Sequence, residues 1–395
     1  MKIQLFFSIF LYAALYALEE PLVLNGIDVL AKDQYAPLKG HTIGLITNHT
    51  GHDYLRTSTI DLLYKAPGIT LKALFSPEHG IRGILDTHVN DSKDEKTGLP
   101  IYSLYGATRI PQQEQLKGLT ALVFDIQDIG CRFYTYISTL GHCMEAAAKA
   151  QIKFFVLDRI NPINGITVEG PVLADTPSFT AYYAIPVRHG MTVGELACMF
   201  NEEKKLGLDL VVIQAQGWKR EQWFDQTGLA WTNPSPNMRS LIEATLYPGI
   251  GLLEKTALSV GRGTDTPFEV IGAPYINEME LIAELRKVDL KGVTFVPVQF
   301  TPKASIFKNE LCKGINIIVL NRNAYSPTEV GLTIASILYK LYPEHLNFPC
   351  FNTLLCHPDT LKAIENKKSV NDIRALWNPA LEEFYKRRMR YLIYK

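Results

Sequence analysis

Short apolar runs alternate with helix-length segments from His41 onward, and this alternation limits the chain to few folds. Five runs have the length and composition of buried strands: 42–47, 69–75, 119–126, 152–157 and 208–213. Helical patterns stand between them at 55–65, 136–150 and 192–204. Alternation of this kind is typical of a parallel sheet with helices on both faces. We therefore predict an α/β fold with a Rossmann-like, mostly parallel sheet flanked by helices.

The pattern changes after residue 250, where strands at 292–298 and 314–320 precede a helix at 327–342. A helical tail follows from 360 to 395, and its Lys386, Arg387 and Arg388 are predicted on a solvated helix face. A chain of 395 residues is too long for one small core. We predict a Rossmann-like catalytic domain at 22–249 and a smaller α+β C-terminal domain at 250–395.

The first 17 residues combine Lys2, a long apolar run and a small residue at Ala17. This arrangement is typical of a secretory signal peptide, and a buried N-terminal helix is the alternative. No later stretch is long and apolar enough to predict a membrane span. We therefore expect an exported protein, periplasmic or secreted, with no integral membrane span.

Charge, cysteines and motifs exclude several classes of function. The 40 basic and 40 acidic residues balance, which does not favour nucleic acid as a partner. The six cysteines are sparse, so a Cys350–Cys356 disulfide fits the spacing but a disulfide scaffold does not. Dinucleotide-binding, Walker, nucleophile-elbow and zinc-protease motifs are missing from the sequence. His49, His52 and His79 are the only plausible metal trio, and no carboxylate spacing supports them, so we predict no metal and no cofactor.

Polar residues follow four predicted strands, where parallel strands deliver them to one edge of the sheet. These residues are Asn48 and His49, then Glu78 and His79, then Asp125, Gln127 and Asp128, and finally Arg159. Carboxylates, amides and an arginine suit a ligand with many hydroxyl groups. A solvent-facing edge without a ligand is the alternative. The segment between Gly80 and Pro111 is predicted to be a surface loop beside these strand ends.

Acid and base chemistry by carboxylates on such a ligand indicates glycoside cleavage or transfer. Glu78 is the best candidate for the acid, because Pro77 and Gly80 place it at a tight corner after a buried strand. Asp125, Asp128 and Glu169 are candidates for the second catalytic group, and the sequence does not choose among them. His79 is expected to orient the acid.

Two further segments carry residues suited to sugars. The first is rich in aromatic residues, namely Trp218, Trp223, Phe224, Trp231 and Tyr247. These rings would form either a platform for a sugar or part of the core. The second is the turn around Arg262, where Gly261 and Gly263 let the backbone approach a ligand. A hairpin turn with solvated charges is the alternative for that turn.

Several longer motifs resemble a known family. They are 44–51 (GLITNHTG), 75–83 (FSPEHGIRG), 100–106 (PIYSLYG), 124–136 (FDIQDIGCRFYTY), 158–162 (DRINP), 235–239 (SPNMR) and 261–267 (GRGTDTP). Together they resemble the NamZ-type exo-β-N-acetylmuramidase family over essentially the whole mature chain. The resemblance implies removal of N-acetylmuramic acid from non-reducing ends of peptidoglycan fragments, with Glu78 as the catalytic glutamate. A non-catalytic cell-wall sugar-binding protein that uses the same cleft is the alternative.

The expected site follows from the strand ends and the motifs. The predicted catalytic residues are Glu78, His79, Asp128 and Glu169. The predicted substrate-binding residues are Asn48, Asp125, Gln127, Arg132, Tyr136, Arg159, Asn237, Arg239, Arg262, Thr264 and Asp265. Muramic acid carries a lactyl carboxylate, which a buried arginine would pair with. Arg262 is our first candidate for that contact and Arg239 the second. The alternative is that the arginines beside these motifs hold loops together through Asp125, Asp158 and Asp265.

Overall fold

The structure is a computed structural model that describes residues 23–81, 91–106 and 108–395. The predicted signal peptide, residues 1–17, lies outside the described residues. Among the described residues no helix is both long and apolar enough to cross a membrane. The six cysteines are all free thiols, including Cys350 and Cys356.

A seven-stranded sheet forms the centre of the N-terminal part. Its strands lie in the order β3-β4-β2-β1-β5-β6-β9, and every pairing except that of β3 with β4 is parallel. The strands are β1 (Thr42–Thr47), β2 (Thr70–Ser76), β3 (Ser92–Lys93), β4 (Pro100–Ser103), β5 (Ala121–Asp125), β6 (Lys153–Leu157) and β9 (Leu210–Ile213). Strands β7 (Glu169–Val172) and β8 (Pro186–Arg188) form a separate antiparallel pair. The predicted parallel sheet is confirmed.

Helices cover both faces of the sheet. They are α1 (Gly26–Lys32), α2 (Thr59–Lys65), α3 (Gln113–Leu116), α4 (Tyr136–Ala150), α5 (Val193–Glu203) and α6 (Leu241–Ile250). Apolar residues of α1 and α2 form one core with one face of the sheet, and those of α4 and α5 form the larger core on the other face. Burial of these continuous apolar strands between two helical layers is the main stabilising contribution to this part of the chain.

The order of strands reverses between β1 and β5. From β1 the chain crosses through α2 to β2 on one side, whereas β5, β6 and β9 follow each other on the opposite side. The central order β2-β1-β5-β6-β9 is that of a doubly wound sheet, in which ligands collect beyond the carboxyl ends of the strands at the reversal.

The segment predicted as a surface loop between Gly80 and Pro111 contains two strands, so that prediction is wrong in part. Strand β4 extends the sheet beside β2, with Phe75 opposite Tyr102, and β3 pairs with β4 at the outer edge. Strands at the edge of a sheet are short and contact few neighbours, so they need few apolar residues. The polar residues around them then obscure the sequence pattern of a strand.

The C-terminal part has a three-stranded antiparallel sheet in the order β10-β12-β11, which confirms a smaller domain of mixed helices and strands. Its strands are β10 (Val270–Ala273), β11 (Val293–Phe300) and β12 (Cys312–Val319), and its helices are α7 (Glu278–Leu285), α8 (Pro327–Leu341), α9 (Asn352–Leu355), α10 (Pro358–Glu365), α11 (Val370–Ala375) and α12 (Asn378–Arg388). Helix α6 runs across residues 249 and 250, so the exact domain boundary stays a prediction.

Arg132 joins the two parts of the chain and has no exposed surface. Its Nη1 donates to the carbonyls of Pro171 and Ile185 at 2.9 and 3.1 Å, and its Nη2 donates to those of Leu354 and Leu355 at 3.1 and 2.5 Å. Both Nη atoms are used on backbone carbonyls, and the fully buried side chain does not line the cavity that contains Glu78. The structure therefore places Arg132, a predicted substrate-binding residue, in a structural position.

The basic end of α12 is also placed differently from the prediction. Arg388 is only 5% exposed, and its guanidinium donates to the carbonyls of Gly165, Ile166 and Gly190. Arg387 donates to the carbonyl of Ala184, and Lys386 alone of the three is exposed. The solvated face predicted for all three residues is wrong for Arg388, because buried carbonyls of the N-terminal part lie against it.

Candidate active site

A cavity of about 680 Å³ contains Glu78 and is lined by residues from both parts of the chain. Its walls come from the end of β2, the start of α4, the loop before α6 and the segment around α9. Five of the residues predicted for the site line it, namely Glu78, His79, Tyr136, Asn237 and Arg262. The structure brings these five together, and their roles in binding or catalysis stay predictions.

Glu78 lies two residues beyond β2 and opposite the N-terminus of α4. The hydroxyl of Thr135, the residue before α4, donates to Glu78 Oε2 at 2.5 Å. The backbone then turns sharply, since His79 has φ of 71° and Gly80 has φ of 76°. A left-handed conformation is unusual for a residue other than glycine and often marks a constrained functional corner. The corner and the Thr135 contact fix the direction of the carboxyl group.

Tyrosines form the wall beside Glu78. The rings of Tyr134 and Tyr136 meet edge to face at 5.0 Å, and Tyr134 meets Tyr247 at 5.8 Å. Tyr136 Oη donates to the carbonyl of Pro234 and accepts from Asn48 Nδ2 at 3.0 Å. Burial raises the pKa of Tyr134 and of Tyr136, so both phenols stay protonated at neutral pH.

Arg262 faces a carboxylate across the cavity wall. Its Nη1 lies 3.1 Å from Glu254 Oε1. Burial raises the pKa of Glu254, and the neighbouring Arg262 opposes that rise. Arg262 keeps about a third of its side chain exposed, whereas Glu254 keeps a tenth. A cation of this kind can meet an anionic group in the cavity while Glu254 holds it in place.

An aromatic and cationic cluster forms the outer part of the cavity. The guanidinium of Arg109 lies 4.1 Å from the centre of the Phe179 ring and 5.7 Å from that of Tyr105. All three residues line the cavity. A flat guanidinium stacked on a ring offers both an apolar face and hydrogen-bond donors to a sugar.

Asp125 and Arg159, which were predicted to bind substrate, instead bind each other. Arg159 Nε and Nη2 lie 2.6 and 3.1 Å from the two carboxylate oxygens of Asp125, and both side chains are buried. Thr59 also donates to Asp125 Oδ2 at 2.5 Å. Neither residue lines the cavity that contains Glu78. The prediction that all four strand ends meet at one site is therefore wrong for this pair.

Asn48 and Gln127 lie behind the cavity. Asn48 is buried and donates to Tyr136, so it acts on the cavity wall from behind. Gln127 Nε2 donates to the carbonyls of Asp128 and Ile160 at 2.7 and 3.0 Å. Gln127 lines a different, smaller cavity. Direct contact of either residue with a substrate beside Glu78 is not supported by this placement.

Asp128 and Glu169, which with Asp125 were the candidates for the second catalytic group, do not line the cavity of Glu78 either. Asp128 is buried and accepts from the backbone N–H of Gly130 at 2.7 Å. Glu169 accepts from Arg188 at 2.8 Å and from Ser326 at 2.7 Å, in a separate cavity. Among the described residues, the carboxylates that line the cavity with Glu78 are those of Asp175 and Glu254.

Arg239, Thr264 and Asp265 lie outside the cavity lining. Asp265 points into solvent, and Arg239 lies 3.8 Å from it with nearly half of its side chain exposed. Thr264 Oγ1 donates to the carbonyl of Gly261 at 2.6 Å, which closes the turn around Arg262. These residues support the turn, and Arg262 alone of this motif reaches the cavity.

The aromatic segment divides between core and site. Trp218, Trp223 and Phe224 are buried in apolar clusters, as the core alternative predicts. Tyr247 lines the cavity beside Phe133, with the two ring centres 5.1 Å apart. Trp231 lines the smaller cavity instead.

Most residues that line the cavity were not predicted from the sequence, and Thr135 and Glu254 are two of them. Thr135 precedes α4, but its side chain does not cap the helix, so the usual preference for threonine at a helix start does not indicate its contact with Glu78. Glu254 lies in a short helical turn after α6 and has no motif of its own. In the described part of the chain no cluster of three or more His, Cys, Asp or Glu residues could hold a metal ion.

The α/β fold and the cavity of carboxylate, tyrosine and arginine side chains fit a carbohydrate-active enzyme. A family model described as the N-terminal part of the exo-β-N-acetylmuramidase NamZ matches residues 43–242, and one described as its C-terminal part matches residues 245–394. This chain belongs to the NamZ exo-β-N-acetylmuramidase family, which is a family of glycoside hydrolases.

Relatives agree with this assignment in sequence and in structure. The peptidoglycan β-N-acetylmuramidase NamZ of Bacillus subtilis (strain 168) is 45% identical over 384 residues, which are 95% of this chain and 92% of that protein. The crystal structure of a DUF1343 family protein from Bacteroides fragilis NCTC 9343 matches with a TM-score of 0.88 and 38% identity, covering 94% of this chain and 99% of that one. A second DUF1343 protein of that organism matches with a TM-score of 0.76 and 31% identity over the same shares.

Proposed function

We propose that this protein is an exported enzyme that releases N-acetylmuramic acid from non-reducing ends of peptidoglycan fragments, with Glu78 as its general acid. The observation that carries the proposal is the placement of Glu78, whose carboxyl group reaches a cavity large enough for a sugar and is oriented by Thr135. The relative from Bacillus subtilis is named as a peptidoglycan β-N-acetylmuramidase, which supports the substrate class.

In the proposed reaction Glu78 donates a proton to the oxygen that links the muramic acid to the next sugar. Buried Tyr134 and Tyr136 stay protonated and supply ring faces beside it, and the hydroxyl of Tyr136 already donates to the carbonyl of Pro234. The candidates for the second catalytic role are Asp175, Glu254, an activated water and the acetamido oxygen of the substrate itself. Proton NMR of the first anomer released shows whether the configuration is inverted or retained. Retention follows either from a covalent intermediate or from attack by the acetamido oxygen.

The experiment that tests the proposal measures hydrolysis of a chromogenic N-acetylmuramide by the purified protein and by Glu78→Gln. A general acid raises the rate of turnover roughly a hundredfold to ten-thousandfold, so we expect the variant to lose turnover by a factor in that range. Glu382→Gln, on an exposed part of α12, is the matched control and should keep the activity of the wild type. Retention of most activity by Glu78→Gln with an unchanged melting curve would remove Glu78 from this role.

The same preparation tests the alternative, a non-catalytic cell-wall sugar-binding protein that uses the same cavity. If the wild type binds muropeptides and releases no sugar from them, the enzyme proposal fails for this chain. Release of N-acetylmuramic acid from the non-reducing end, detected by mass spectrometry, excludes the alternative.

Arg262 is proposed to pair with the lactyl carboxylate of muramic acid. Arg262→Ala should reduce activity on muramides at least tenfold and leave weak activity on N-acetylglucosaminides nearly unchanged, because a site built for a charge penalises only the charged substrate. Arg239→Ala is the control, since Arg239 does not line the cavity. If Arg262→Ala lowers both activities in proportion, Arg262 does not read the lactyl group.

Export is proposed from the apolar N-terminal run that follows Lys2. Expression of the full chain, followed by fractionation and N-terminal sequencing of the protein outside the cytoplasm, tests it. A mature chain that begins shortly after Ala17 supports export, and an intact N-terminus in the cytoplasm contradicts it.

A further inference from the structure

Arg109 lies at the mouth of the cavity that contains Glu78. It stands between β4 and α3 and is exposed, whereas Tyr134, Tyr136 and Tyr247, which line the same cavity, are buried. An enzyme that removes terminal sugars holds the terminal sugar in the closed part of its cavity, so the rest of the strand leaves through the mouth. Arg109 is therefore placed to contact a part of the substrate beyond the sugar that is removed.

The guanidinium of Arg109 is held in place by aromatic rings. It lies over the ring of Phe179, 4.1 Å from its centre, and 5.7 Å from the centre of the Tyr105 ring. The Phe179 ring is half-buried and packs in turn against Tyr105, at 5.9 Å, and parallel to the His142 ring, at 6.1 Å. Stacking on a ring fixes the plane of a guanidinium and leaves the N–H groups at its edge free to donate. Arg109 is thus oriented before a ligand arrives.

The donors of Arg109 are unused. Within residues 23–81, 91–106 and 108–395, none of its N–H groups donates a hydrogen bond and no carboxylate pairs with it. Arg262, which lines the same cavity, instead lies 3.1 Å from Glu254. A planar fork of free donors matches the two oxygens of a carboxylate, with which it forms two parallel hydrogen bonds. A sugar hydroxyl offers a single oxygen to this fork, so a carboxylate is the better match.

The charges around the mouth also favour an anion. Lys255 lines the cavity, is exposed and forms no ion pair with the described residues. Arg262 and its carboxylate partner offset each other, and Glu78 carries its proton when it acts as an acid. Asp175 is then the remaining charged carboxylate in the described lining, and its oxygens already accept two hydrogen bonds from the protein. Arg109 and Lys255 together outnumber it, so the field at the mouth attracts a negative group.

We propose that Arg109 binds a carboxylate of the substrate beyond the sugar that is removed, an inference that rests on the proposed function for the kind of substrate. N-acetylmuramic acid and N-acetylglucosamine alternate along a peptidoglycan strand. The first carboxylate beyond the leaving sugar is therefore the lactyl group of the next muramic acid or, where that sugar carries a peptide, a carboxylate of the peptide. A disaccharide of one muramic acid and one glucosamine ends before this group. Arg109 makes the protein prefer longer fragments.

Isothermal titration calorimetry tests the proposal in the Glu78→Gln background, where the fragments are not consumed. The ligands are the disaccharide, the peptide-free tetrasaccharide, and the tetrasaccharide with a peptide on its internal muramic acid. Adding Arg109→Gln should lower the preference for a tetrasaccharide over the disaccharide about fivefold, as expected for one exposed but well-oriented ion pair. Arg109→Lys keeps the charge without the fork and should lose less. Arg286→Gln changes an exposed arginine outside the cavity and should keep the preference.

The ligands also separate the two sources of the carboxylate. A loss with the peptide-free tetrasaccharide assigns the lactyl group, and a loss confined to the peptide-bearing one assigns the peptide. The proposal is overturned if the protein binds all three fragments equally, if Arg109→Gln keeps the preference, or if Arg286→Gln lowers it as much.

Hydrolysis of the disaccharide by the protein with Glu78 intact is measured separately. If no sugar is released but the preference depends on Arg109, only the proposed function fails. If sugar is released and the preference does not depend on Arg109, only the role of Arg109 fails.

Discussion

At the scale of single residues, the orientation of Glu78 depends on the Thr135 hydroxyl. Thr135 stands immediately before α4 and donates to Glu78 Oε2 at 2.5 Å. The contact joins the end of β2 to the start of α4, two elements that are far apart in sequence. A general acid is effective only when its proton lies within reach of the leaving oxygen. Thr135 is therefore a positioning residue for Glu78.

Replacement of Thr135 by valine keeps the shape and removes the hydroxyl. We expect Thr135→Val to lower kcat on a chromogenic muramide about tenfold with little change in KM, because a freely rotating carboxyl spends less time in the productive direction. Thr135→Ser restores the hydroxyl and should recover most of the activity. A loss in Thr135→Ser as large as that in Thr135→Val would contradict this role, because the serine keeps the hydroxyl.

Comparison of Glu78 with Asp125 shows how far a sequence predicts a site. Both residues end a parallel strand, and this position correctly predicts that they lie near the same edge of the sheet. The sequence does not show that Arg159, from the next strand, already binds both oxygens of Asp125. The end of a strand determines the backbone position of a residue. The group that its side chain contacts depends on how neighbouring strand ends pack. The same reason separates Arg262, in the cavity, from Arg239, outside it.

At the scale of elements, α12 is held against the N-terminal part by Arg388. Its guanidinium donates to three carbonyls on the loops before β7 and after β8. Burial lowers the pKa of Arg388 to about 10, and the group stays charged at neutral pH. The sequence predicted a helical tail at 360–395, and the structure divides that range among α10, α11 and α12. The sequence could not predict that one residue of a basic run would face buried carbonyls, since the run itself is typical of a solvated face.

Removal of this side chain should destabilise the protein. Arg388→Ala removes one donor from each of the three carbonyls, of which those of Gly165 and Gly190 keep Arg220 as a donor. We expect a loss of about 2 kcal/mol in the free energy of unfolding. Lys386→Ala, on the exposed side of the same helix, should change it by less than about 0.5 kcal/mol. Urea denaturation followed by circular dichroism measures both. A similar small loss in the two variants would show that the Arg388 contacts contribute little.

The start of α10 gives the structure a dependence on pH. His357 Nδ1 accepts from the Thr360 backbone N–H and faces the Thr360 hydroxyl, which itself accepts from Trp377. Burial lowers the pKa of His357, with Arg132 acting in the same direction and Asp359 opposing them. A lowered folded pKa means that the unfolded chain takes up the proton first as pH falls. Stability from this group is therefore present above about pH 6.5 and is lost below it.

His357→Asn should reduce that loss, because asparagine also caps a helix and does not titrate. We expect the wild type to lose about 1 kcal/mol more than the variant between pH 8 and pH 5, as measured by urea denaturation at both values. The comparison with the variant cancels the contributions of other groups. A larger loss in the variant would mean that His357 does not carry this dependence.

At the scale of the whole molecule, the two parts of the chain share buried contacts. Arg132 binds carbonyls on both sides, and Ser326 and Thr328 of the C-terminal part contact Glu169 of the N-terminal part. The sequence predicted two domains with different patterns but gave no sign of these contacts. They involve single polar residues separated by more than a hundred positions, and such pairs leave no periodic signal.

We expect the two parts to unfold together, in one calorimetric transition. Separation of the parts would break the two bonds from Arg132 Nη2 to the carbonyls of Leu354 and Leu355, which is costly in a buried setting. Differential scanning calorimetry of the mature chain checks this expectation. Two resolved transitions, each with its own midpoint, would show that the parts are independent.

The position of Arg132 also bears on the cost of binding a substrate. Two of its bonds hold Leu354 and Leu355, and Leu354 lines the wall that the C-terminal part contributes to the Glu78 cavity. That wall is therefore in place before a sugar enters. Binding of the sugar then needs little ordering of loops or domains. Because the cost of that ordering is small, more of the contact energy appears as affinity and selectivity. The cavity acts as a preorganised receptor and does not need to close by a domain movement.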